Sequence, residues 1–469
     1  MSLRRDALPR VEARLPNERT TFHRPMKPDY KNKKIAVLGA GRSGKAAALL
    51  LADEGAKVTL LDSAPEEKLA GLEPLRARGV YLLCGPLAQE DPAVYDLGVF
   101  SPGIDPELAL AKNFSRKNIP VIGELELGWQ FCRVPVIGIT GTNGKTTTTE
   151  LIAQMLNACG QPTVACGNIG KPLVEAAREN DDLAVLTVEV SSFQLETIRD
   201  FHPEISVWLN FAPDHLDRYR SIREYREAKL RIFENQTAAD TAVVNVSENL
   251  PPLAPRLTTF SAWTDGGDFS LGNGWILFRQ EPVLQLSDAQ LRGPHNAENM
   301  MAALAVGRAR GLSFAEMVPP LCAYRAQLHR LELIRALGGV DYINDSKATN
   351  LDALEKALLS ATKPIVLIAG GKDKGFAFDS IAPLVARKVR RAILIGEIAA
   401  RVAKDWRDAT QCELASSLGA AVERAQAIAH PGETVLFSPG TSSFDMFKSY
   451  ADRGDQFRAL VRGLPDPPL

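Results

Sequence analysis

The chain has 469 residues, of which 45% are hydrophobic and 24% are charged, and its formal net charge is −1. This length predicts about three domains at about 150 residues each, and the balanced charge provides no global field that would favour nucleic acid. There is no apolar run of the ~18 to 20 residues that span a bilayer. With six cysteines but no CxxC pair, and no signal-peptide core, we expect a soluble, cytoplasmic, multidomain protein with reduced thiols.

Residues 1–33 are rich in Lys and Arg and lack apolar periodicity, which predicts a mobile basic arm. A first domain is expected over 34–132. Its strand 35–38 runs into Gly-Ala-Gly-Arg-Ser-Gly at 39–44, and a helix and a second strand ending in Asp62 follow. This order is the fingerprint of a dinucleotide-type fold with a phosphate at the helix N-terminus. NAD, FAD and a nucleotide sugar remain open as ligands, as does a purely structural tight turn.

A second domain is expected over 133–326, where the strand 135–140 runs into Gly-Thr-Asn-Gly-Lys-Thr at 141–146 and then a helix. Backbone N–H groups of such a loop surround a polyphosphate, Lys145 adds positive charge and the Thr146 hydroxyl can ligate magnesium. The loop is a variant, since the strict pattern requires glycine where Ile139 stands. The alternative is a glycine-rich turn with an exposed lysine.

Acid and imidazole side chains follow two strands of this second domain. Glu189 ends the strand predicted at 183–190, and His215 follows the strand predicted at 205–211. Parallel strands bring their carboxyl ends to one crevice, so both residues are candidate magnesium ligands beside the phosphate loop. A hydrogen-bonded structural histidine is the alternative for His215.

Lys229 lies in a predicted helix over 224–234 and shares a face with Tyr225, Ile232 and Phe233. Two interpretations are open. The lysine stem packs on apolar neighbours and carries its charge to water, or the amine is desolvated, has a lowered pKa and can add CO2 to become a carbamate.

A third domain is expected over 327–469, with strands at 342–344, 365–369, 392–395 and 434–437. The polar, cationic loops 344–350 and 370–375 each follow a strand, which favours anion binding over solvated turns. Alternation of strands and helices in all three domains predicts an α/β fold with mainly parallel sheets.

Six strings occur in the order of the Mur ligase family, which the chain resembles from about residue 34 to its end. They lie at 140–147, 189–196, 214–219, 295–299, 344–350 and 438–445. The strings EVSSFQLE and NDSKATN resemble those of the members that add D-glutamate. The resemblance implies a UDP-binding Rossmann-like domain, a central P-loop ATPase domain and a Rossmann-like C-terminal domain that binds the amino acid and closes over the nucleotide.

The resemblance also implies roles for individual residues. The UDP-sugar is assigned to Gly41, Arg42, Ser43, Gly44, Asp62, Ser101, Pro102, Gly103, Asn168 and His215. ATP is assigned to Gly141, Thr142, Asn143, Gly144, Lys145, Thr146, Thr147, Asn296, Asn299, Arg330 and Asp345. D-glutamate, with the transferred phosphate, is assigned to Lys347, Thr349, Lys374, Ser443 and Tyr450. Two Mg²⁺ ions are assigned to Thr146, Glu189, His215 and Lys229 as its carbamate, and the catalytic groups are Lys145, Lys229, His215 and Lys347.

Three features depart from the family pattern. The N-terminal arm is not typical, residues 326–329 read Ala-Gln-Leu-His where Gly-Leu-Pro-His is common, and Tyr450 stands where some members have Phe.

The implied reaction is ATP-dependent addition of D-glutamate to UDP-N-acetylmuramoyl-L-alanine through an acyl phosphate. It belongs to peptidoglycan precursor synthesis, and hence to cell shape and division, and we expect a monomer. Three alternatives remain: a folylpolyglutamate-synthetase-like ligase, a nicotinamide-dependent oxidoreductase built on the loop 39–44, and a non-catalytic nucleotide-binding module.

Overall fold

A computed structural model of the chain describes residues 27–89, 93–105, 107–179, 182–215, 218–291, 293–325 and 328–465. Residues 1–26 of the predicted arm and the predicted domain boundary at 326/327 lie outside the described residues. None of the described helices is long and apolar enough to cross a membrane.

The first domain is a parallel sheet flanked by helices. Its strands are β1 (Lys34–Leu38), β2 (Lys57–Asp62), β3 (Tyr81–Cys84), β4 (Leu97–Phe100) and β5 (Val121–Gly123), in the order β3-β2-β1-β4-β5. Its helices are α1 (Arg42–Asp53), α2 (Glu73–Ala77), α3 (Pro86–Gln89), α4 (Ala109–Arg116) and α5 (Glu124–Trp129), with a short 3-10 helix at Glu66–Lys68. The strand order reverses between β1 and β4, which opens a crevice at their carboxyl ends.

The helix after the glycine loop begins at Arg42 rather than at the predicted Lys45. Gly44 therefore lies in its first turn, where an added Cβ would stand 1.8 Å from the carbonyl oxygen of Gly39. Only glycine permits this close approach, so the sequence pattern reflects packing of the loop against the helix.

The central domain contains a nine-stranded sheet. Its strands are β6 (Val136–Thr140), β7 (Thr163–Gly167), β8 (Val185–Glu189), β9 (Ile205–Trp208), β10 (Thr241–Asn245), β11 (Arg256–Ser261), β12 (Phe269–Gly272), β13 (Trp275–Phe278) and β14 (Glu281–Gln285), in the order β14-β13-β12-β11-β10-β9-β6-β8-β7. Its helices are α6 (Lys145–Ala158), α7 (Leu173–Ala176), α8 (Ser192–Leu195), α9 (Ile222–Leu230), α10 (Pro294–Ala309) and α11 (Phe314–Ala323), with 3-10 helices at Arg231–Phe233 and Leu286–Asp288.

The phosphate loop leaves the middle of this sheet. β6 pairs with β8 on one side and with β9 on the other, so the loop after β6 lies between the ends of both neighbours. Gly144 has a φ of 83° and precedes α6, which starts at Lys145. The left-handed conformation favours glycine at this position.

The C-terminal domain has a six-stranded sheet. Its strands are β15 (Glu332–Leu337), β16 (Val340–Asn344), β17 (Ile365–Gly370), β18 (Val389–Ile395), β19 (Gln411–Leu414) and β20 (Thr434–Phe437), in the order β15-β16-β20-β17-β18-β19. Its helices are α12 (Leu351–Ser360), α13 (Ala382–Lys388), α14 (Ala399–Asp405), α15 (Leu418–Ile428) and α16 (Tyr450–Arg462), with a 3-10 helix at Phe378–Ile381.

Two sheets contain antiparallel strands that alternation of strands and helices does not predict. β12, β13 and β14 form an antiparallel meander at one edge of the central sheet, and β15 pairs antiparallel with β16. Two further elements differ from expectation. β9 ends at Trp208 and not at 211, and the helix expected over 224–234 ends at Leu230 before a 3-10 turn.

The end of the predicted mobile arm is packed against the first domain. Tyr30 is buried, its hydroxyl donates to Gln130 and its ring stacks on Phe131 at a centroid distance of 6.3 Å. Lys27 pairs with Glu54 at 2.7 Å. Aromatic burial therefore fixes residues 27–33, which the charge pattern alone did not indicate.

Candidate active site

The phosphate loop holds two lysine amines at one carbonyl oxygen. Lys145 Nζ donates to the carbonyls of Gly141 and Thr142, each at 2.8 Å, and Lys229 Nζ donates to that of Gly141, also at 2.8 Å. Burial lowers the pKa of Lys145, as does the charge of Arg330. Two amines on one acceptor repel each other when both are charged, so this position favours a neutral Lys229.

Lys229 lies in the last turn of α9 and is 1% exposed. Its amine lies 4.9 Å from the centroid of the Tyr225 ring. Burial, and then the charge of Lys145, hold the pKa of Lys229 well below its usual range. Of the two interpretations of the sequence, the buried position excludes a stem that carries its charge to water and agrees with a desolvated amine.

Glu189, at the end of β8, supplies a carboxylate oxygen with no protein partner. Its Oε1 accepts a hydrogen bond of 2.7 Å from Asn168 Nδ2, while the buried Oε2 has no partner among the described residues. Thr146 is buried in the first turn of α6. A buried carboxylate oxygen without a partner fits a hard divalent cation.

Few protein side chains near Glu189 could coordinate a metal ion. The part of the chain that the structure describes has no group of three or more His, Cys, Asp and Glu side chains that could hold a metal ion. A cation beside Glu189 would need hydroxyl or ligand oxygens as well, which is how Mg²⁺ binds beside phosphates.

His215 lies in the loop after β9 with a φ of 55°, and its ring packs on Phe193 at a centroid distance of 4.8 Å. Burial lowers the pKa of His215 to about 4, Asp214 opposes this shift, and the charges of Lys374 and Lys145 add to it. The imidazole is therefore neutral at pH 7, as a metal ligand must be.

Asp214, next to His215, joins the central domain to the C-terminal domain. Its carboxylate accepts from Asn350 Nδ2 and from Lys374 Nζ, both at 3.0 Å. Burial alone would raise the pKa of Asp214, but nearby positive charges and these two hydrogen bonds lower it overall.

A cavity between the central and C-terminal domains brings together many of the residues assigned to ATP. Its predicted lining residues are Asn143, Gly144, Thr147, Asn296, Asn299, Arg330 and Asp345. Gly141, Thr142, Lys145 and Thr146 lie in the adjoining loop and first helical turn. The buried Nε of Arg330 has no partner among the described residues, and an added Cβ on Gly144 would stand 2.5 Å from Asn299 Oδ1.

Asp345 follows β16 at the edge of this cavity. Its Oδ2 accepts from Ser438 Oγ at 2.8 Å, and burial raises its pKa to about 7. A carboxyl group in this range can hold or release a proton close to neutral pH.

The residues assigned to D-glutamate lie at the carboxyl edge of the C-terminal sheet. Lys347 Nζ stands 3.8 Å from the centroid of the Tyr450 ring, and Lys374 reaches Asp214. Ser443 is buried in the loop after β20, and Thr349 is half-buried directly before Asn350, the N-cap of α12.

The residues assigned to the UDP-sugar surround the crevice of the first domain. Both carboxylate oxygens of Asp62 accept backbone N–H groups, from Ala40 at 2.7 Å and Ala64 at 2.8 Å. Asp62 thus fixes the glycine loop as well as bordering the crevice. Ser101 Oγ donates to the carbonyl of Gly39 at 3.2 Å.

The other residues with the same assignment lie beside this loop, within it or on the central domain. Ser101 and Pro102 border a cleft shared with Phe193 and Arg218 of the central domain, and Gly103 follows them. Gly41 is the N-cap of α1, Ser43 lies in its first turn, and Arg42 pairs with Glu175 at 3.2 Å. Asn168 and His215 lie on the central domain.

The sequence assigned no role to Asp214, Asn350 and Asp352, which make contacts between domains. Asn143 of the phosphate loop donates to the side chains of Asn350 and Asp352. Asp214 and Asn350 stand within recognised strings, which was the available signal. Asp352 is more than 200 residues from its partner, and no local pattern reveals such pairing.

Three domain models of one family match the chain. Residues 33–123 match the Mur ligase MurD-like N-terminal domain, residues 139–307 the Mur ligase middle domain, and residues 329–440 the Mur ligase glutamate ligase domain. The chain belongs to the Mur ligase family, which confirms the predicted family and α/β fold class.

Full-length relatives share much of the sequence. The UDP-N-acetylmuramoylalanine--D-glutamate ligases of Geotalea daltonii and Geobacter metallireducens are each 42% identical to it over 93% of this chain and 98% of their own. The ligase of the same name from Pelotomaculum thermopropionicum is 40% identical over 93% of this chain and 99% of its own.

Solved structures share the fold at lower identity. The UDP-N-acetylmuramate-alanine ligase MurC of Thermotoga maritima has a TM-score of 0.59 and 18% identity, and covers 92% of this chain and 99% of its own. MurF from Acinetobacter baumannii has a TM-score of 0.57 and 16% identity, and covers 79% of this chain and 92% of its own.

Proposed function

We propose that this chain is an ATP-dependent ligase that adds D-glutamate to UDP-N-acetylmuramoyl-L-alanine in peptidoglycan precursor synthesis. The observation that carries the proposal is its 42% identity, over 93% of the chain, to ligases named for this reaction. The lysine pair at the phosphate loop, the partnerless Glu189 oxygen and the cavity between two domains support it chemically.

The reaction joins a carboxylate to an amine in two steps. A carboxylate oxygen of the L-alanyl group attacks the γ-phosphorus of ATP, and the β–γ P–O bond breaks. ADP departs, and an acyl phosphate of the UDP-sugar substrate remains. The D-glutamate amine then attacks the acyl carbon, loses a proton and forms the amide as inorganic phosphate departs.

The first step brings two anions together, so positive charge must surround the phosphates. We assign this role to Lys145 with backbone N–H groups of the loop 141–147, and to Lys347 and Arg330 across the cavity. The side chains of Asn296, Asn299 and Asp345 would orient the rest of the nucleotide.

Magnesium binding fits the donors beside the phosphate loop. Glu189 Oε2, the Thr146 hydroxyl, the neutral imidazole of His215 and a carbamate on Lys229 would hold two Mg²⁺ ions. When bound, these cations neutralise charge on the phosphate oxygens.

Carbamylation of Lys229 is supported by its burial and by the lowered pKa of its amine. A neutral amine forms a C–N bond with CO2 and releases one proton. The resulting anion would stand beside the Lys145 ammonium, which would stabilise it.

The amino acid and the UDP-sugar would approach from opposite domains. Lys347 and Lys374 would neutralise the D-glutamate carboxylates beside Thr349, Ser443 and Tyr450. The UDP-sugar would lie over Gly41–Gly44, Asp62 and Ser101–Gly103, with its L-alanyl end near Asn168 and His215.

We propose domains at 34–132, 133–326 and 327–469, and action as a cytoplasmic monomer that supports cell shape and division through wall synthesis. The polar contact between the central and C-terminal domains agrees with closure of the C-terminal domain on the substrates. D-glutamate and the UDP-sugar are the small-molecule partners.

The test measures phosphate release from ATP and Mg²⁺ with UDP-N-acetylmuramoyl-L-alanine, in the presence of D-glutamate, of L-glutamate or of neither. We expect sustained release only with the D-isomer. Equal release with L-glutamate would favour a folylpolyglutamate-type ligase, and release indifferent to the UDP-sugar would contradict the proposal. Reduction of a carbonyl substrate with NADH would point to an oxidoreductase.

A further inference from the structure

Lys356 lies on α12 and is tied to the phosphate loop through one shared acceptor. Its Nζ stands 2.9 Å from Asp352 Oδ2, one helical turn earlier. The same carboxylate oxygen accepts a hydrogen bond from Asn143 Nδ2 of the phosphate loop. The ammonium group is thereby held next to the loop by a residue of its own helix.

Lys356 also lines the cavity that contains Gly144 and Thr147 of the phosphate loop. Its side chain is 21% exposed, so the protein covers most of it. The charge of Lys356 acts inside this cavity, since after burial it is the largest cause of the lowered pKa of His295, which is about 4.

An ordinary surface pair four residues apart stabilises a helix by only about 0.3 to 0.5 kcal/mol. That role requires neither a cavity wall nor a bond from the phosphate loop to the same carboxylate. The three-member chain Asn143–Asp352–Lys356 instead fixes a cation beside the place where a polyphosphate would bind.

We propose that Lys356 is a nucleotide-binding residue that contacts phosphate oxygens of ATP, while Asp352 and Asn143 position its ammonium at the phosphate loop. The inference rests on the proposed ATP-dependent function. It adds a third cation, beside Arg330 and Lys347, to the wall that the C-terminal domain and its linker contribute to the cavity.

The experiment compares Lys356→Met, Lys356→Arg and Asp352→Asn in the full chain. We expect Lys356→Met to raise the KM for ATP about tenfold, which corresponds to about 1.4 kcal/mol, with little change in the KM for D-glutamate. Lys356→Arg should retain most of the affinity. Asp352→Asn breaks the same ion pair but keeps the cation, and should raise the KM for ATP much less.

Lys363→Met is the matched control, because Lys363 pairs with Asp341 at the opposite edge of the C-terminal sheet. Isothermal titration with ATP and with adenosine gives a second measurement, and only ATP should bind more weakly to Lys356→Met. Equal effects of Lys356→Met and Asp352→Asn on the KM for ATP would overturn the inference, as would equal weakening of adenosine. Activity of the unaltered chain tests the proposed function separately.

Discussion

The central domain meets its two neighbours through boundaries of opposite character. The contact with the first domain, called the apolar boundary below, has an apolar core, and buried hydrogen bonds also cross it. Phe131 packs against the cores of both domains, and Val174 of α7 belongs to the core of the first domain. Beneath them, the buried Glu126 accepts hydrogen bonds from the backbone N–H groups of residues 199–201 at 2.8 to 3.1 Å.

Toward the C-terminal domain the contact at the site is polar. Asn143 and Asp214 of the central domain hydrogen-bond to Asn350, Asp352 and Lys374. When a polar contact opens, hydrogen bonds to water replace its protein hydrogen bonds at little net cost in free energy. Exposure of buried apolar surface to water has no such compensation. The contrast predicts that the first two domains move as one body, while the third can separate.

The backbone that enters the C-terminal domain has an unusual conformation on both sides of Arg330. His329 and Leu331 have positive φ values of 68° and 44°, on either side of Arg330. Such values are costly for side chains with a Cβ, so the local conformation must be held by contacts. The backbone N–H of His329 donates to Glu332 and that of Leu331 to Asp345, both within the C-terminal domain.

The largest predicted effect is at the polar boundary, in Lys374→Met. We expect kcat/KM for D-glutamate to fall about 10³-fold, or about 4 kcal/mol, because the carboxylate that we assign to Lys374 would lose its cation. ATP affinity should remain close to that of the unaltered chain. Lys372→Met, two residues earlier on the same loop and exposed, is the control. A proportional loss of ATP affinity would show that Lys374 acts on the fold of the site.

A smaller effect is predicted at the apolar boundary, in Glu126→Ala. Three buried backbone N–H groups lose their acceptor, so the free energy of unfolding should fall by about 3 kcal/mol. Urea denaturation measures this, with the exposed Glu179→Ala as control. The KM for D-glutamate should stay constant. A change in this KM would contradict the contrast drawn between the two boundaries, in which only the polar one affects the D-glutamate site.

A third prediction concerns how pH changes the stability of the apolar boundary. Burial raises the pKa of Glu124 to about 7 from an ordinary 4.5, and its Oε2 has no partner among the described residues. The folded chain therefore binds this proton more tightly than the unfolded chain, so the group costs stability progressively as pH rises from 4.5 to 7.

Glu124→Gln should accordingly be more stable than the unaltered chain by about 3 kcal/mol at pH 8, with the gain vanishing near pH 4. Urea midpoints at both pH values measure it. A gain of the same size at pH 4 would mean that packing, and not ionisation, sets the cost of Glu124.

The sequence predicted the local parts of the polar boundary, although it did not predict the contacts between them. A strand, a loop and a helix follow one another around Lys145, so periodicity and glycine spacing predicted that unit and placed Glu189 at a strand end. The phosphate-loop unit and the strand end at Glu189 each depend on residues that are close together in the chain. The sequence pattern alone therefore predicts them.

Contacts between distant segments could not be predicted in the same way. The bond between Asn143 and Asp352 joins residues 209 apart, and the acids Glu124 and Glu126 resemble surface residues because their burial depends on packing between domains. The antiparallel meander of β12–β14 was missed because its strands are only four or five residues long and no helix separates them.

The smallest predicted effect concerns residues 27–33, which extend the apolar boundary. Tyr30 donates its hydroxyl hydrogen to Gln130 and stacks on Phe131, the residue that touches both cores. Tyr30→Phe keeps the stacked ring and removes one hydrogen bond, so we expect a loss of about 1 kcal/mol in the free energy of unfolding. Tyr81→Phe, at an exposed position, controls for removal of a hydroxyl. If Tyr30→Phe alters the KM for D-glutamate instead, the apolar boundary is not rigid, and motion of the first domain contributes to the site.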